Sequence, residues 1–349
     1  MIDSSSPLFV PFAVLCVILA FPTAFWVTAY VLPQIFMALR PVPNLKKRYP
    51  GAEWALVTGG GSGIGKSLAF KLASQGLNVV VVSLDDDFLK ATMKELEKAY
   101  PKLQFRSVGV NFAPGVKYMD KIRAATKDIE VRIVFSNAGF MVTGFLDQAP
   151  IEKLLVNIEC NATSGVNVAH HFVKQMVSSK KTGCIVFTSS IAAAIPTPFA
   201  CMYASTKAFI SQFAACLHIE CKPLGIDVCA IHPSPVASNF YSNLQHKVDM
   251  IEAAAKSAVS PDSVADPILK SVGACAWRDV GGTIISLSDC CFFDFLRNSL
   301  GEFSFCFLTT GMAIGTRMGT FFLPFNFFSE LFAAAAPFLP DWKRHNKHR

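Results

Sequence analysis

Trp54-Ala55-Leu56-Val57-Thr58-Gly59-Gly60-Gly61-Ser62-Gly63-Ile64-Gly65 decides the fold of this chain. A short apolar run of strand type leads straight into glycines, and helical periodicity begins at Ile64. Glycines at such a junction let the backbone turn sharply and approach a pyrophosphate, whose charge meets free amides and the dipole at a helix start. A strand, a glycine turn and a helix in that order predict a nucleotide-binding βα unit.

Working outward, the same alternation repeats. Ala55 to Thr58, Val79 to Leu84, Phe105 to Val110, Ile133 to Ser136, Cys184 to Thr188 and Val228 to Ile231 read as buried strands, with a seventh at Thr283 to Leu287. Helices are expected at Ile64 to Ser74, Phe88 to Tyr100, Ile151 to Val177 and Met202 to Lys222. Continuous apolar strands separated by helices imply βαβ units, hence an α/β fold with a doubly wound, Rossmann-type parallel sheet covered on both faces.

Both ends of the chain differ from this middle. No charged residue occurs from Ser4 to Leu39, and Leu8 to Leu32 is long and apolar enough to cross a bilayer core, so residues 1–39 read as a transmembrane anchor. Arg40, Lys46, Lys47 and Arg48 follow it while only Asp3 precedes it, which places the downstream chain in the cytosol by the positive-inside rule. Pro41, Pro43 and Pro50 make residues 40–53 a basic linker; the catalytic domain is expected over 54–289. From 290 to 349 a Phe-rich stretch, interrupted by glycines and by Arg317 and Glu330, reads as membrane-associated and ends in the basic tail Lys343–Arg349.

Hydrophobic residues make up 52% of the 349 and charged ones 16%, which suits contact with lipid. Net charge is +7, but no basic stripe interleaved with aromatics accompanies it, so a nucleic-acid partner is not expected. The 11 scattered cysteines read as apolar filler in a reducing compartment, and no His, Cys or carboxylate spacing suggests a metal.

A second constellation carries chemistry. Tyr203 and Lys207 stand one helical turn apart, so phenol and ammonium share a helix face, and the cation can bring the phenol toward working pH as an acid-base group. Ser190, at the end of a strand, can hydrogen-bond the same substrate oxygen.

Taken together, Thr58-Gly59-x-x-x-Gly63-x-Gly65, Asn137-Ala138-Gly139, Asn161, Ser190, Tyr203 and Lys207 resemble the short-chain dehydrogenase/reductase family over roughly Trp54 to Leu287. The resemblance implies an NAD(P)(H)-dependent oxidoreductase with Tyr203 as general acid/base and Lys207 lowering its pKa and holding the nicotinamide ribose. Ser190 would position the carbonyl and Asn161 support a relay water. The dinucleotide would lie along Thr58, Gly59, Gly61, Ser62, Gly63, Ile64 and Gly65, with Asn137, Ala138 and Gly139 on the adenosine side and Pro233, Val236 and Ser238 near the nicotinamide. A homodimer is common in the family.

Departures from the pattern bear on the cofactor. Ser234 replaces a glycine after Pro233, Asn111 stands where an aspartate often meets the adenine, and Ser136 precedes Asn137. Strand two ends Ser83-Leu84-Asp85, without the arginine that holds a 2′-phosphate, so Asp85 on the ribose hydroxyls favours NAD(H) over NADP(H).

The anchor, the basic linker and the glycine turn most resemble microsomal very-long-chain 3-oxoacyl-CoA reductases and 17β-hydroxysteroid dehydrogenases, with 3-ketodihydrosphingosine reductases close behind. That similarity implies a lipid-like substrate at the endoplasmic reticulum membrane, 3-oxoacyl-CoA reduction in fatty-acid elongation first. A reading of another class is a nucleotide-binding membrane scaffold that has lost turnover; the four intact residues Asn161, Ser190, Tyr203 and Lys207 oppose it.

Overall fold

The computed structural model describes residues 32–241, 244, 246, 248–256 and 258–280, with the isolated positions 10, 11 and 14. Most of the expected anchor, all of the Phe-rich segment and basic tail, and the strand expected at Thr283 to Leu287 lie outside the described residues. One helix of the N-terminal unit is described, α1 (Leu32–Leu39), with Phe36 and Leu39 exposed. No helix among the described residues is long and apolar enough to cross a membrane.

From Val42 onward a second unit begins. It runs α2 (Leu45–Arg48), β1 (Trp54–Thr58), α3 (Gly63–Ser74), β2 (Asn78–Ser83), α4 (Asp87–Ala99), β3 (Phe105–Gly109), α5 (Tyr118–Thr126) and β4 (Val131–Ser136). Next come α6 (Ile151–Ile158), a π-helical turn (Glu159–Thr163) and α7 (Ser164–Ser178), then β5 (Gly183–Thr188), α8 (Cys201–Cys221) and β6 (Ile226–Pro233). The described part closes with α9 (Asp249–Lys256), α10 (Pro261–Ser271) and β7 (Trp277–Val280).

The strands pair in parallel in the order β3-β2-β1-β4-β5-β6-β7. Strand side chains alternate between faces, so one run fills two cores. Ala55, Val57, Val79, Val81, Ile133, Phe135, Cys184 and Val186 pack on the face covered by α3, α4 and α10. Leu56, Val80, Val134, Ile185 and Phe187 pack on the face of α5, α7 and α8. Strands apolar on both faces are therefore what this sandwich requires, and Cys184 and Cys229 serve in it as buried apolar side chains. The order reverses between β1 and β4, and the crevice beyond the carboxyl ends of the strands at such a switch point is where nucleotides bind in folds of this type.

The proline-containing stretch before β1 is packed rather than loose. Leu45 and Tyr49 are buried. Gln75 at the end of α3 accepts from Leu45 N at 2.7 Å and donates to Pro43 O at 3.1 Å. Asp227 at the start of β6 takes Tyr49 Oη at 2.7 Å, Arg48 Nη2 at 2.9 Å and Lys222 Nζ at 3.0 Å. Burial pushes the Asp227 carboxyl up, but these donors outweigh it and hold it below the usual carboxylate range. Gln75→Ala orphans the buried Leu45 amide, so unfolding in urea should show a loss of about 1–2 kcal/mol.

Three features depart from the sequence expectation. Strand β7, Trp277–Val280, has no counterpart among the expected strands; its two charges disguise it, yet Arg278 Nη1 donates to Pro267 O at 2.9 Å. Helix α5, with Tyr118, Ile122 and Thr126 buried on one face, has no counterpart among the expected helices, and neither does α10, which an internal Pro267 masks. The expected long helix Ile151 to Val177 is interrupted by the π-helical turn that carries Asn161.

Candidate active site

The glycine turn leaves β1 through Gly59, whose φ of +65° is the left-handed region that favours glycine. A Cβ there would lie 2.8 Å from Ala138 Cα, and one on Gly63 (φ +54°) would lie 3.0 Å from Ser238 Cβ. On Gly65 a side chain would run into the Gly59 carbonyl, so only glycine lets α3 begin this close to the turn. Ser62 caps α3 in extended geometry without a side-chain hydrogen bond, and Ile64 packs on the core below. The result is a glycine-lined cradle at a helix N-terminus, which fits a pyrophosphate.

Thr58 Oγ1 accepts from Asn137 N at 2.9 Å and Ala138 N at 3.1 Å, tying the end of β1 to the end of β4. Gly61 lies against Ser83 at the end of β2, where its Cβ would be 2.9 Å from Ser83 Oγ, and Thr92 of α4 donates to its carbonyl at 2.9 Å. Asp85 packs against Gly109, whose Cβ would be 2.7 Å from Asp85 Cβ, and Asn111 is exposed just past β3. Pro233 ends β6; beyond it Val236 bridges to Val259 and Ser238 stands over Gly63. The residues expected to hold the dinucleotide thus line one edge of the sheet on both sides of the switch point.

Ser190, Tyr203, Lys207, Asn161 and Gly139 converge at the same edge. Ser190 caps the single turn after β5, its Oγ accepting from Ala192 N at 3.2 Å. Tyr203 and Lys207 both lie on the buried face of α8, with Lys207 Nζ 5.6 Å from the Tyr203 ring centre. Lys207 Nζ donates to Thr188 O at 2.7 Å, and burial lowers its pKa to about 8. A Cβ on Gly139 would come within 3.1 Å of Asn161 Oδ1 and 3.2 Å of Lys207 Nζ. Asn161 Oδ1 accepts from Phe140 N at 2.9 Å, while its Nδ2 donates to Phe140 O at 2.9 Å and Thr206 Oγ1 at 3.1 Å.

In this structure burial dominates the electrostatics of the phenol. Burial pushes the Tyr203 phenol up from its ordinary value, and the hydrogen bond with Ser190 only partly offsets this. Burial thus favours the protonated phenol.

Burial comes from a third apolar cluster, apart from the two sheet faces. Phe145, Phe199, Ala200, Val248 and Ile251 gather around Tyr203, with Met141, Phe240 and Tyr241 packed against them. Phe240 meets the Tyr203 ring edge-on at 5.5 Å, and Phe145 meets Phe199 at 5.2 Å. Phe199 holds a left-handed φ of +63° while its carbonyl accepts from Gly144 N at 2.8 Å. A bulky residue seldom adopts that conformation, and strain of this kind collects at functional sites. Sequence reading missed Phe145, Val248 and Ile251, which are far apart along the chain, and the Thr188 and Phe140 main chains, which carry no side-chain signature.

A family profile described as short chain dehydrogenase matches residues 53–249. The chain is 32% identical to the human very-long-chain 3-oxoacyl-CoA reductase over 69% of its own length and 76% of that protein. To the Gallus gallus hydroxysteroid dehydrogenase-like protein 1 it is 29% identical, over 65% and 67%. Among solved structures, a 7β-hydroxysteroid dehydrogenase aligns with TM-score 0.60 at 23% identity, covering 77% of this chain and all of that one, 100%. A short-chain dehydrogenase from Sphingobium yanoikuyae in complex with NADPH aligns with TM-score 0.58 at 23% identity over 72% and 97%. With the glycine cradle, the seven-stranded parallel sheet and the profile match in agreement, the chain belongs to the short-chain dehydrogenase family and is an oxidoreductase that uses a nicotinamide cofactor.

Proposed function

We propose that this chain reduces the carbonyl of a long apolar substrate, a 3-oxoacyl-CoA before a 17-ketosteroid or a 3-ketosphingoid base. The observation that carries the proposal is the apolar cluster built around Tyr203, beside Ser190 and Lys207. An acyl chain would replace Phe240 and its neighbours as the cover over the phenol, which suits a lipid better than a small polar alcohol. Relatives named very-long-chain 3-oxoacyl-CoA reductase in human and Bos taurus support the choice of acyl substrate.

In this reading the amides of Gly59, Ser62, Gly63 and Ile64 hold the pyrophosphate, Asp85 the adenosine ribose, and Lys207 with Tyr203 the nicotinamide ribose; Thr58, Gly61, Gly65, Asn111, Asn137, Ala138, Gly139, Pro233, Val236 and Ser238 complete the cleft. Bound cofactor supplies the hydride. Ser190 orients the substrate oxygen and Tyr203 gives it a proton. Lys207, fixed on Thr188 O, favours the phenolate left behind. The Asn161 side chain is engaged by Phe140 and Thr206, so its part is to hold the Gly139–Phe140 backbone against Lys207.

Detergent-purified protein, given NADH or NADPH with each of the three substrate types, should show its highest kcat/KM with a long 3-oxoacyl-CoA. Failure to turn over any of them would restore the scaffold reading. Residues 1–39 are proposed to anchor the protein in the endoplasmic reticulum membrane. It should then stay in the pellet after carbonate washing, and protease outside sealed microsomes should digest the catalytic domain; protection would place that domain in the lumen.

A further inference from the structure

Behind the site, β5, β6, β7 and α8 share a buried line of polar groups. Ser189, Ser211 and His232 are 3%, 4% and 1% exposed. His232 Nδ1 faces Asp279 Oδ1 at 3.3 Å, and His232 Nε2 stands 2.9 Å from Ser211 Oγ. Ser211 Oγ is 2.7 Å from Ser189 Oγ, and both hydroxyls reach the Lys207 main-chain carbonyl at 2.8 Å. Trp277 closes the line, its ring edge-on to His232 at 5.7 Å and its Nε1 donating to Ser211 O at 2.9 Å.

The order Asp279, His232, Ser211 resembles a hydrolytic triad, but Ser211 is enclosed and its hydroxyl is engaged with Lys207 and Ser189, so it is no nucleophile. Counting protons gives the better reading. Two hydroxyl hydrogens must serve three contacts, Ser211 to Lys207 O, Ser189 to Lys207 O and Ser189 to Ser211. If His232 Nε2 accepted from Ser211, one hydrogen would remain for all three. If Nε2–H donates instead, with Nδ1–H facing the Asp279 carboxylate so that both ring nitrogens carry hydrogen, both hydroxyl hydrogens stay available, and two of the three contacts are made at once in a one-way chain from His232 to Ser211 to Ser189 to Lys207 O.

This chain ends on two parts of the candidate site. Lys207 O belongs to the residue whose ammonium sits by Tyr203, and Ser189 is joined by one peptide bond to Ser190. Apolar packing fills space without fixing how far a helix slides or turns, whereas hydrogen bonds are directional. We propose that His232 is a positioning residue, which through Ser211 and Ser189 sets where the Lys207 ammonium and the Ser190 hydroxyl stand relative to Tyr203. This rests on the reductase reading above, and it adds a residue that touches neither substrate nor cofactor.

The test compares His232→Phe, His232→Gln and His232→Asn with wild type. A glutamine amide nitrogen reaches the Nε2 position, whereas an asparagine reaches only that of Nδ1. Phe and Asn should lower kcat by roughly 10- to 100-fold with KM for the carbonyl substrate changed by less than about threefold, and Gln should stay within about threefold of wild type. Equal losses in Phe and Gln would reduce His232 to packing and overturn the proposal, as would a Phe variant within twofold of wild-type kcat. If Phe does not fold, Ser189→Ala takes its place: a kcat loss of about three- to tenfold at constant KM supports the chain, and unchanged kcat overturns it. Should wild type itself turn over none of the substrates, the reductase reading fails separately. The NADH dissociation constant then decides: a rise of about fivefold or more in Phe but not in Gln upholds the positioning of Lys207, and equal constants end it.

Discussion

Tyr203→Phe should lower kcat for carbonyl reduction by at least about 100-fold, near 2.7 kcal/mol of transition-state stabilisation, while dinucleotide affinity stays within about threefold of wild type. The change removes one oxygen from a buried ring and leaves its contacts with Phe240 and the surrounding cluster in place. What is lost is the proton. Burial pushes the phenol's pKa up and so favours the protonated form that a donor needs, and in the proposed mechanism Ser190 shares the substrate oxygen with it. Single-turnover measurement at saturating cofactor checks this, and near-normal turnover in the variant would remove Tyr203 from the mechanism. A pH dependence follows from the neighbouring lysine. Burial lowers Lys207 from 10.5 to about 8, so its ammonium is lost as pH rises through about 8, and reduction should fall along that limb.

How far the sequence carried depended on whether a residue's own chemistry or its neighbours decided its place. Buried strands such as Val79-Val80-Val81-Val82 announce themselves, because a parallel sheet covered on both faces needs apolar side chains in both directions. Trp277-Arg278-Asp279-Val280 does not, since its charged side chains meet partners that only folding brings up, among them Pro267 O for Arg278 and His232 for Asp279. Tyr203 and Lys207 were legible from their spacing, and the glycine turn from its place between strand and helix. The direction of the Tyr203 shift was not, because it arises from Phe145, Phe199, Val248 and Ile251, which no local pattern links to the phenol. Likewise the π-helical turn at Glu159–Thr163 leaves no mark on periodicity at this length, yet it presents Asn161 to Phe140 and Thr206.

Wild type should use NADH in preference to NADPH, and Leu84→Arg with Asp85→Ser should shift the kcat/KM ratio toward NADPH by about 100-fold, near 2.7 kcal/mol. A 2′-phosphate needs a cation within hydrogen-bonding reach, preferably the planar fork of an arginine. After β2 the chain offers Leu84, which is 54% exposed, and then three acids. Asp86 caps α4, its carboxylate accepting from Leu89 N at 3.0 Å, and Asp87 pairs with Lys90 at 3.4 Å. Asp85 lies against Gly109 on the adenosine side of the cradle, where it can take ribose hydroxyls and would repel a phosphate dianion. Lys66 and Lys90 are cations that could compensate, and each already faces a carboxylate, Lys66 with Glu95 at 2.7 Å. The double change supplies the missing cation at an exposed position and removes the repelling acid, so the two effects add in one direction. Steady-state kinetics with both cofactors on both proteins decide it. A wild type preferring NADPH tenfold or more would mean that one of those lysines leaves its partner for the phosphate, and Lys66→Ala and Lys90→Ala would then show which.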